Sequence, residues 1–228
     1  MAINIENYNK IKKQLDEKQV TLVAVSKTKT IQDIQALYDL GQRDFGENYV
    51  QELVDKYESL PKDIRWHFIG HLQTNKVKYI AAFVYLIHGV DSEKLLSEIN
   101  KQGAKINRII DCLLQVYISK DETKFGFDEL ELETLIKKIE INKDAFKHVS
   151  IKGLMGMATF TEDNALIISE FKCLEEIFKK SEARLSIINY PLSIISMGMS
   201  ADYSFAIEAG STMVRIGSLL FGERNYKP

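Results

Sequence analysis

A single barrel of eight parallel strands, each followed by a helix, is the architecture to which three features of this chain point. Short apolar runs bounded by turn residues recur eight times, and stretches with helical spacing separate them almost throughout. Such runs read as strands buried on both faces of a parallel sheet. The length of 228 residues is slightly economical but sufficient for a (β/α)8 TIM barrel, for which roughly 250 is typical. A doubly wound open sheet is the main competitor. We read residues 1–228 as one domain, because three prolines and no Gly/Ser-rich linker leave no candidate boundary.

Ile5 to Asp16 has helical periodicity, and Thr21 to Ser26 is the first strand. Ile31, Ile34, Leu37, Tyr38 and Leu40 recur at three- and four-residue spacing and stop at Gly41, an amphipathic helix with a glycine cap. Asp44-Phe45-Gly46 is a short second strand, followed by a helix from Tyr49 to Tyr57 with Val50, Leu53, Val54 and Tyr57 on one face. Ile64 to Ile69 is the third strand, after which Asn75 caps a short helix carrying Val77 and Ile80. Phe83 to Ile87 is the fourth strand and Ser92 to Gln102 a helix; Ile109 to Ile118 is the fifth and Leu130 to Ile139 a helix. The least regular stretch, Asn142 to Ser150, reads as a surface connection. Ile151 to Met155 is the sixth strand and Asn164 to Lys180 a long helix. Leu192 to Ile195 and Thr212 to Ile216 are the seventh and eighth, with the helix Asp202 to Ala209 between them.

Composition narrows the function. A net charge of -2 gives no electrostatic reason to expect nucleic acid or an anionic membrane as partner. No apolar run approaches the ~20 residues that span a bilayer, and the polar, helical segment from Met1 to Lys13 is unlike a signal peptide. A cytoplasmic protein is expected. Cys112 and Cys173 are isolated, without CxxC spacing, and read as free thiols of a reducing compartment with no metal site. His67 and His71 flank the third strand, but no cysteine or clear carboxylate set accompanies them; His67 reads as a hydrogen-bonded core residue and His71 as a loop residue at the pocket mouth. Trp66 reads as core packing, and the pairs Lys137-Lys138 and Lys179-Lys180 as solvated helix faces.

The chemistry begins at Val23-Ala24-Val25-Ser26-Lys27-Thr28, a buried strand ending in a lysine. Enclosed at the carboxyl end of a barrel strand, an amine is partly desolvated and attacks a carbonyl to form a Schiff base. On this segment alone a solvated lysine opening a loop is the plainer reading, since lysine is mostly exposed. The far end of the chain changes the balance. After the seventh strand comes Ser196-Met197-Gly198-Met199-Ser200-Ala201-Asp202, where Gly198 admits close approach of a ligand and Ser200 offers a hydroxyl at a helix start. After the eighth comes Val214-Arg215-Ile216-Gly217-Ser218, again glycine then hydroxyl. Each alone is no more than a helix cap; two on consecutive units match the phosphate site that such barrels build after strands seven and eight. In a closed barrel the first and eighth strands are neighbours. A ligand with an aldehyde and a phosphate would be held at both ends, and pyridoxal 5′-phosphate is one.

Five segments carry a resemblance. They are Ala24-Val25-Ser26-Lys27-Thr28, Phe45 to Glu52, Trp66 to Lys76, Ser196 to Ser200, and Ser211 to Ser218. Together they resemble the pyridoxal-phosphate homeostasis proteins, the single-domain alanine-racemase-like barrels known as the YggS or PROSC family, in order from about residue 20 to 222. The resemblance implies a cytosolic protein that holds the cofactor covalently and buffers or delivers it, without established turnover. It implies that Lys27 is the Schiff-base lysine and that Arg215 faces the pyridine nitrogen. Ser200, Gly217 and Ser218 match phosphate-binding positions, the last often threonine in the family, and Asn48 lies beside the cofactor. Tyr117 departs from a Gln-Val-Asn-Ile pattern, and Gly89 stands where serine commonly precedes Val90-Asp91-Ser92.

A guanidinium cannot readily give up a proton, so with Arg215 the ring nitrogen stays an acceptor and the electron sink is weaker than with a carboxylate. The plainer alternative for Arg215 is a surface salt bridge. Three functions follow. A carrier binds pyridoxal phosphate at Lys27 and passes it on, with apo-enzymes as possible recipients. An amino-acid racemase, the alternative, needs a second proton-transfer residue, usually from a separate β domain; the chain stops at Pro228, leaving a partner chain or Tyr203. A Schiff-base aldolase would use the lysine and cradle without a cofactor, against which Arg215 speaks. A monomer is expected.

Overall fold

The computed structural model describes residues 3–119 and 125–222. Eight strands, β1 (Thr21–Val25), β2 (Asp44–Glu47), β3 (Arg65–Phe68), β4 (Leu86–Val90), β5 (Ile110–Gln115), β6 (Val149–Met155), β7 (Ile194–Met199) and β8 (Met213–Ile216), pair in parallel and in chain order to close a barrel. The helices outside it are α1 (Ile5–Glu17), α2 (Ile31–Asp39), α3 (Val50–Ser59), α4 (Val77–Ile80), α5 (Glu93–Lys105), α6 (Glu129–Ile141), α7 (Asn164–Ile187), α8 (Tyr203–Glu208) and α9 (Ser218–Phe221). The TIM barrel expected from the strand–helix alternation is therefore what the chain forms, and the open sheet is not.

Local chemistry starts the helices where the sequence permits. Thr30 caps α2 through a reciprocal pair with Asp33, and Asp128 and Glu131 do the same for α6. Ser92 and Asp163 cap α5 and α7. The main core lies between the outer barrel wall and the helices, with Trp66, Phe45, Phe68 and Phe171 among its largest buried side chains. A second, smaller layer fills the barrel itself: Val23, Leu86, Leu113, Met155 and Met213, one from each of five strands. No helix among the described residues is long and apolar enough to cross a membrane.

Several boundaries differ from expectation, and tertiary contacts account for the main ones. The fourth strand runs over Leu86–Val90, not Phe83 to Ile87. Phe83 and Val84 instead close the turn after α4, donating to Ile80 O, and Phe83 stacks on Tyr57 at 3.9 Å between ring centroids. The seventh strand continues past Ile195 to Met199, so Ser196 and Met197 are strand residues and not loop. Gly198, with φ +94, is demanded by packing: a Cβ there would lie 2.5 Å from the Cβ of Ala206 on α8. Within Asn142 to Ser150 the chain forms a 3-10 helix (Lys143–Phe146), buries Phe146 and already enters β6 at Val149. That stretch is irregular but anchored. α7 also runs on to Ile187, beyond Lys180.

The β1–β8 register pairs Val23 with Arg215 and Ala24 with Ile216. This closure brings the lysine-bearing and glycine–serine ends of the chain together at one rim.

Candidate functional site

Lys27, Asn48, Ser200, Arg215, Gly217 and Ser218 all line one cavity of about 470 Å³ at the carboxyl ends of the strands. That is the size of a small-molecule pocket, at the end of the barrel where such folds place their chemistry. Val25, Lys29, Ile69, Met157, Thr159, Phe160 and Met199 complete much of its wall. A larger cavity, about 690 Å³, opens at the amino-terminal end of the strands beside Asp44, Arg65, Ser193 and Thr212. Its cations are already matched by carboxylates, Arg65 with Asp44, Arg43 with Asp63 and Lys12 with Asp16, so we place the site at the carboxyl end.

Lys27 enters this cavity through strand parity. Val23 belongs to the barrel's inner layer and Val25 lines the cavity, so Lys27, two residues further, follows them inward. Ser26 is turned outward, where its hydroxyl donates to Glu47 Oε1 at 2.6 Å. The two cradle loops are joined directly: the Gly217 N–H donates to Ser200 Oγ at 3.2 Å. Ser218 begins α9 and lines the cavity rim together with Ser200. Asn48 Oδ1 is buried and has no hydrogen-bond partner among the described residues. Such an acceptor in a cavity wall is costly unless a ligand meets it.

Arg215 is buried and rests on neutral acceptors. Its Nη1 donates to Ser196 O at 2.8 Å and Ser196 Oγ at 2.7 Å, and its Nη2 to Gly156 O at 3.1 Å. Burial lowers its pKa to about 10, against the opposing charge of Asp202, so it remains a cation at neutral pH. Behind it a hydrogen-bonded chain crosses the barrel interior. Ser196 Oγ lies 3.1 Å from His88 Nδ1, His88 Nε2 lies 2.9 Å from His67 Nδ1, and His67 Nε2 lies 3.0 Å from Asp44 Oδ1. Arg65 grips the same carboxylate with two donors.

One assignment of protons satisfies every link. Burial raises the Asp44 pKa, but hydrogen bonds from Arg65 and His67 outweigh that and hold it at about 2. The ionised carboxylate accepts from His67 Nε2–H, His67 Nδ1 accepts from His88 Nε2–H, and His88 Nδ1 accepts from the Ser196 hydroxyl. Burial, together with the charge of Arg215, keeps His88 well below the usual histidine range and so neutral.

Several expectations come out differently. His71 does not line the cavity: it pairs with Asp91 at 2.9 Å and stacks on Phe125. Tyr203 turns its hydroxyl away towards Gln14 on α1, 3.4 Å off. Tyr117 lies outside the cavity, its N–H on Phe127 O. Gly89 has a steric reason, since a Cβ there would meet Gly70 O at 2.6 Å. His67 and Trp66 are buried as expected, and Cys112 and Cys173 are free thiols. No group of three or more metal-ligating side chains occurs among the described residues. Sequence reasoning missed Ser196, His88 and Asp44 as a unit; the only signal was polar residues inside apolar strands.

The family model described as "Alanine racemase, N-terminal domain" matches residues 4–225. A pyridoxal phosphate homeostasis protein of Aquifex aeolicus is 41% identical over 207 residues, 90% of this chain and 87% of that protein. One of Haemophilus influenzae is 39% identical over 92% of this chain and 88% of its own. Among solved structures, PipY of Synechococcus elongatus PCC7942 with PLP bound superposes with a TM-score of 0.84 at 31% identity, over 95% of this chain and 99% of that one. An alanine racemase of Clostridium difficile 630, at 14% identity and a TM-score of 0.74, covers 99% of this chain and 59% of that one, and shows the shared fold alone. Matched along nearly its full length, the chain belongs to the pyridoxal phosphate homeostasis proteins, within the alanine racemase N-terminal domain family.

Proposed function

We propose that this protein binds pyridoxal 5′-phosphate covalently through Lys27 and acts as a carrier or buffer of the cofactor, without catalytic turnover. The observation that carries the reading is the convergence of Lys27, Arg215 and the Ser200–Gly217–Ser218 rim on one cavity, with an orphaned Asn48 oxygen in its wall. The donor set fits the group. Ser200, Gly217 and Ser218 would hold the phosphate, Asn48 would meet a polar substituent of the ring, and Arg215 would donate to the ring nitrogen. When bound, the cofactor supplies an aldehyde that condenses with an amine and a ring that draws electrons from it. Arg215 stays protonated and offers that ring only a hydrogen bond, which favours holding over turnover. The chain's own candidate for a second proton-transfer group, Tyr203, points to Gln14, which also supports a carrier over a racemase. We read the protein as one cytoplasmic, monomeric domain over 1–228, whose partners are the cofactor and the apo-enzymes that receive it.

The test is spectroscopic. Protein loaded with pyridoxal phosphate should be yellow, and borohydride should bleach the band and leave the added mass on Lys27. Lys27→Ala should abolish the band, whereas Arg215→Ala should shift or weaken it. A normal, borohydride-sensitive band in Lys27→Ala would falsify the assignment.

A further inference from the structure

A cluster of three ionisable side chains, two buried and one half-buried, sits outside the barrel wall, against the strand end that carries Lys27. Lys56 on α3 spends its three donors on Ser26 O, Glu47 Oε1 and Glu52 Oε1, each at 2.7 Å. Glu52 Oε1 also accepts the Thr28 N–H at 2.6 Å, and Glu47 Oε1 the Ser26 hydroxyl at 2.6 Å. Ser26 C=O and Thr28 N–H belong to the two peptide groups that flank the Cα of Lys27. Both are gripped, one by Lys56 and one by Glu52.

The grip coincides with backbone strain. Thr28 has φ +64, a left-handed conformation that a β-branched residue adopts at a cost of about 1–2 kcal/mol. Such a residue persists where its surroundings over-determine it, and the Glu52 bond to its N–H is that constraint. The cluster is also a poor device for stability. Glu47 and Lys56 are 0% and 6% exposed at the side chain, and Glu47 Oε2 has no partner among the described residues. Buried ion pairs of this kind often contribute no more than apolar residues of similar volume would. A strained turn, two buried ionisable groups and a half-buried carboxylate, all converging on the neighbours of one lysine, are better accounted for by what they do to that lysine.

We propose that Glu47, Lys56 and Glu52 are positioning residues: they hold the backbone on either side of Lys27 so that its amine faces the cavity at the distance needed to bond the cofactor aldehyde. This rests on the carrier reading above and assigns residues that do not line the cavity. Loss of the grip frees the Lys27 backbone but leaves the cavity's phosphate rim, Asn48 and Arg215 in place.

The experiment compares two ligands, pyridoxal phosphate and its 4′-deoxy analogue, which keeps the ring and phosphate but has no aldehyde. In Glu52→Ala, whose side chain is 23% exposed in the native protein, retention of pyridoxal phosphate should fall about ten-fold. Affinity for the deoxy analogue should stay within about two-fold of the wild type. Glu52→Gln, whose amide oxygen still accepts from Thr28, should restore most of the retention. The paired change Glu47→Gln with Lys56→Met should show the same split between the ligands. Equal loss of both ligands, or loss of neither, overturns the proposal in favour of a cluster that only packs α3 on the barrel. A wild-type chain with no borohydride-reducible adduct sinks the cofactor reading itself; that failure is seen in the wild type, the clamp's only in the variants.

Discussion

Lys27 and Arg215 are chemically conspicuous, and both were legible before the fold was: one ends an apolar strand, the other sits inside one. What made them a pair was not legible in either segment. Glu47 illustrates the limit further, because in the sequence it is one acidic residue among 32 Asp and Glu. In the structure, burial raises its pKa to about 7, against the pull of Lys56. Between its ordinary 4.5 and about 7 the folded chain holds a proton that the unfolded chain has lost. The stability this contributes is full below about 4.5 and is lost as pH rises through 7. Urea midpoints should therefore decline from pH 5.5 to 8 by an amount that Glu47→Gln removes, on the order of 1–3 kcal/mol. Asp44, held at about 2, acts in the opposite sense: its contribution is present above its usual range and is lost as pH falls towards 2.

The strand-to-helix turns after β7 and β8 work as one element. Gly217 N–H to Ser200 Oγ is the bond that joins them, and Ser200 and Ser218 lie on the same cavity rim. On the proposed assignment, truncating either serine leaves the other hydroxyl on the rim to hold the phosphate. We expect Ser200→Ala with Ser218→Ala to weaken pyridoxal phosphate binding more than either alone, by on the order of 10- to 100-fold. Titration of the absorption band checks this, and an unchanged affinity in the double variant would remove the phosphate assignment. The element boundaries show why pattern reading stops short here. The apolar pair Phe83-Val84 looks like the start of a strand, yet its residues are spent on the turn after α4 and on Tyr57. Ser196 to Met199 looks like a loop because it opens on a serine and carries a glycine, yet it is strand, and its serine is met inside the barrel by Arg215 and His88.

Across the barrel, the chain Arg215–Ser196–His88–His67–Asp44 links the candidate site to the cavity at the opposite end, where Asp44 and Arg65 lie. Removing a middle link leaves partners unsatisfied in the interior, so His88→Leu and Ser196→Ala should each destabilise by roughly 1–3 kcal/mol. Their double variant should cost less than the sum, because both break one network. Urea unfolding measures this, and additive losses would dissolve the network into separate bonds. Eight strands, the alternation with helices and the lysine and glycine–serine ends are all encoded within a few neighbouring residues, which is why period and turn chemistry sufficed to read them. Contacts such as Ser196 with His88, 108 positions apart, have no local signature. Which polar strand residues meet inside the barrel, and which charges close on the backbone around Lys27, depends on strand register and closure, and only the packed barrel sets those.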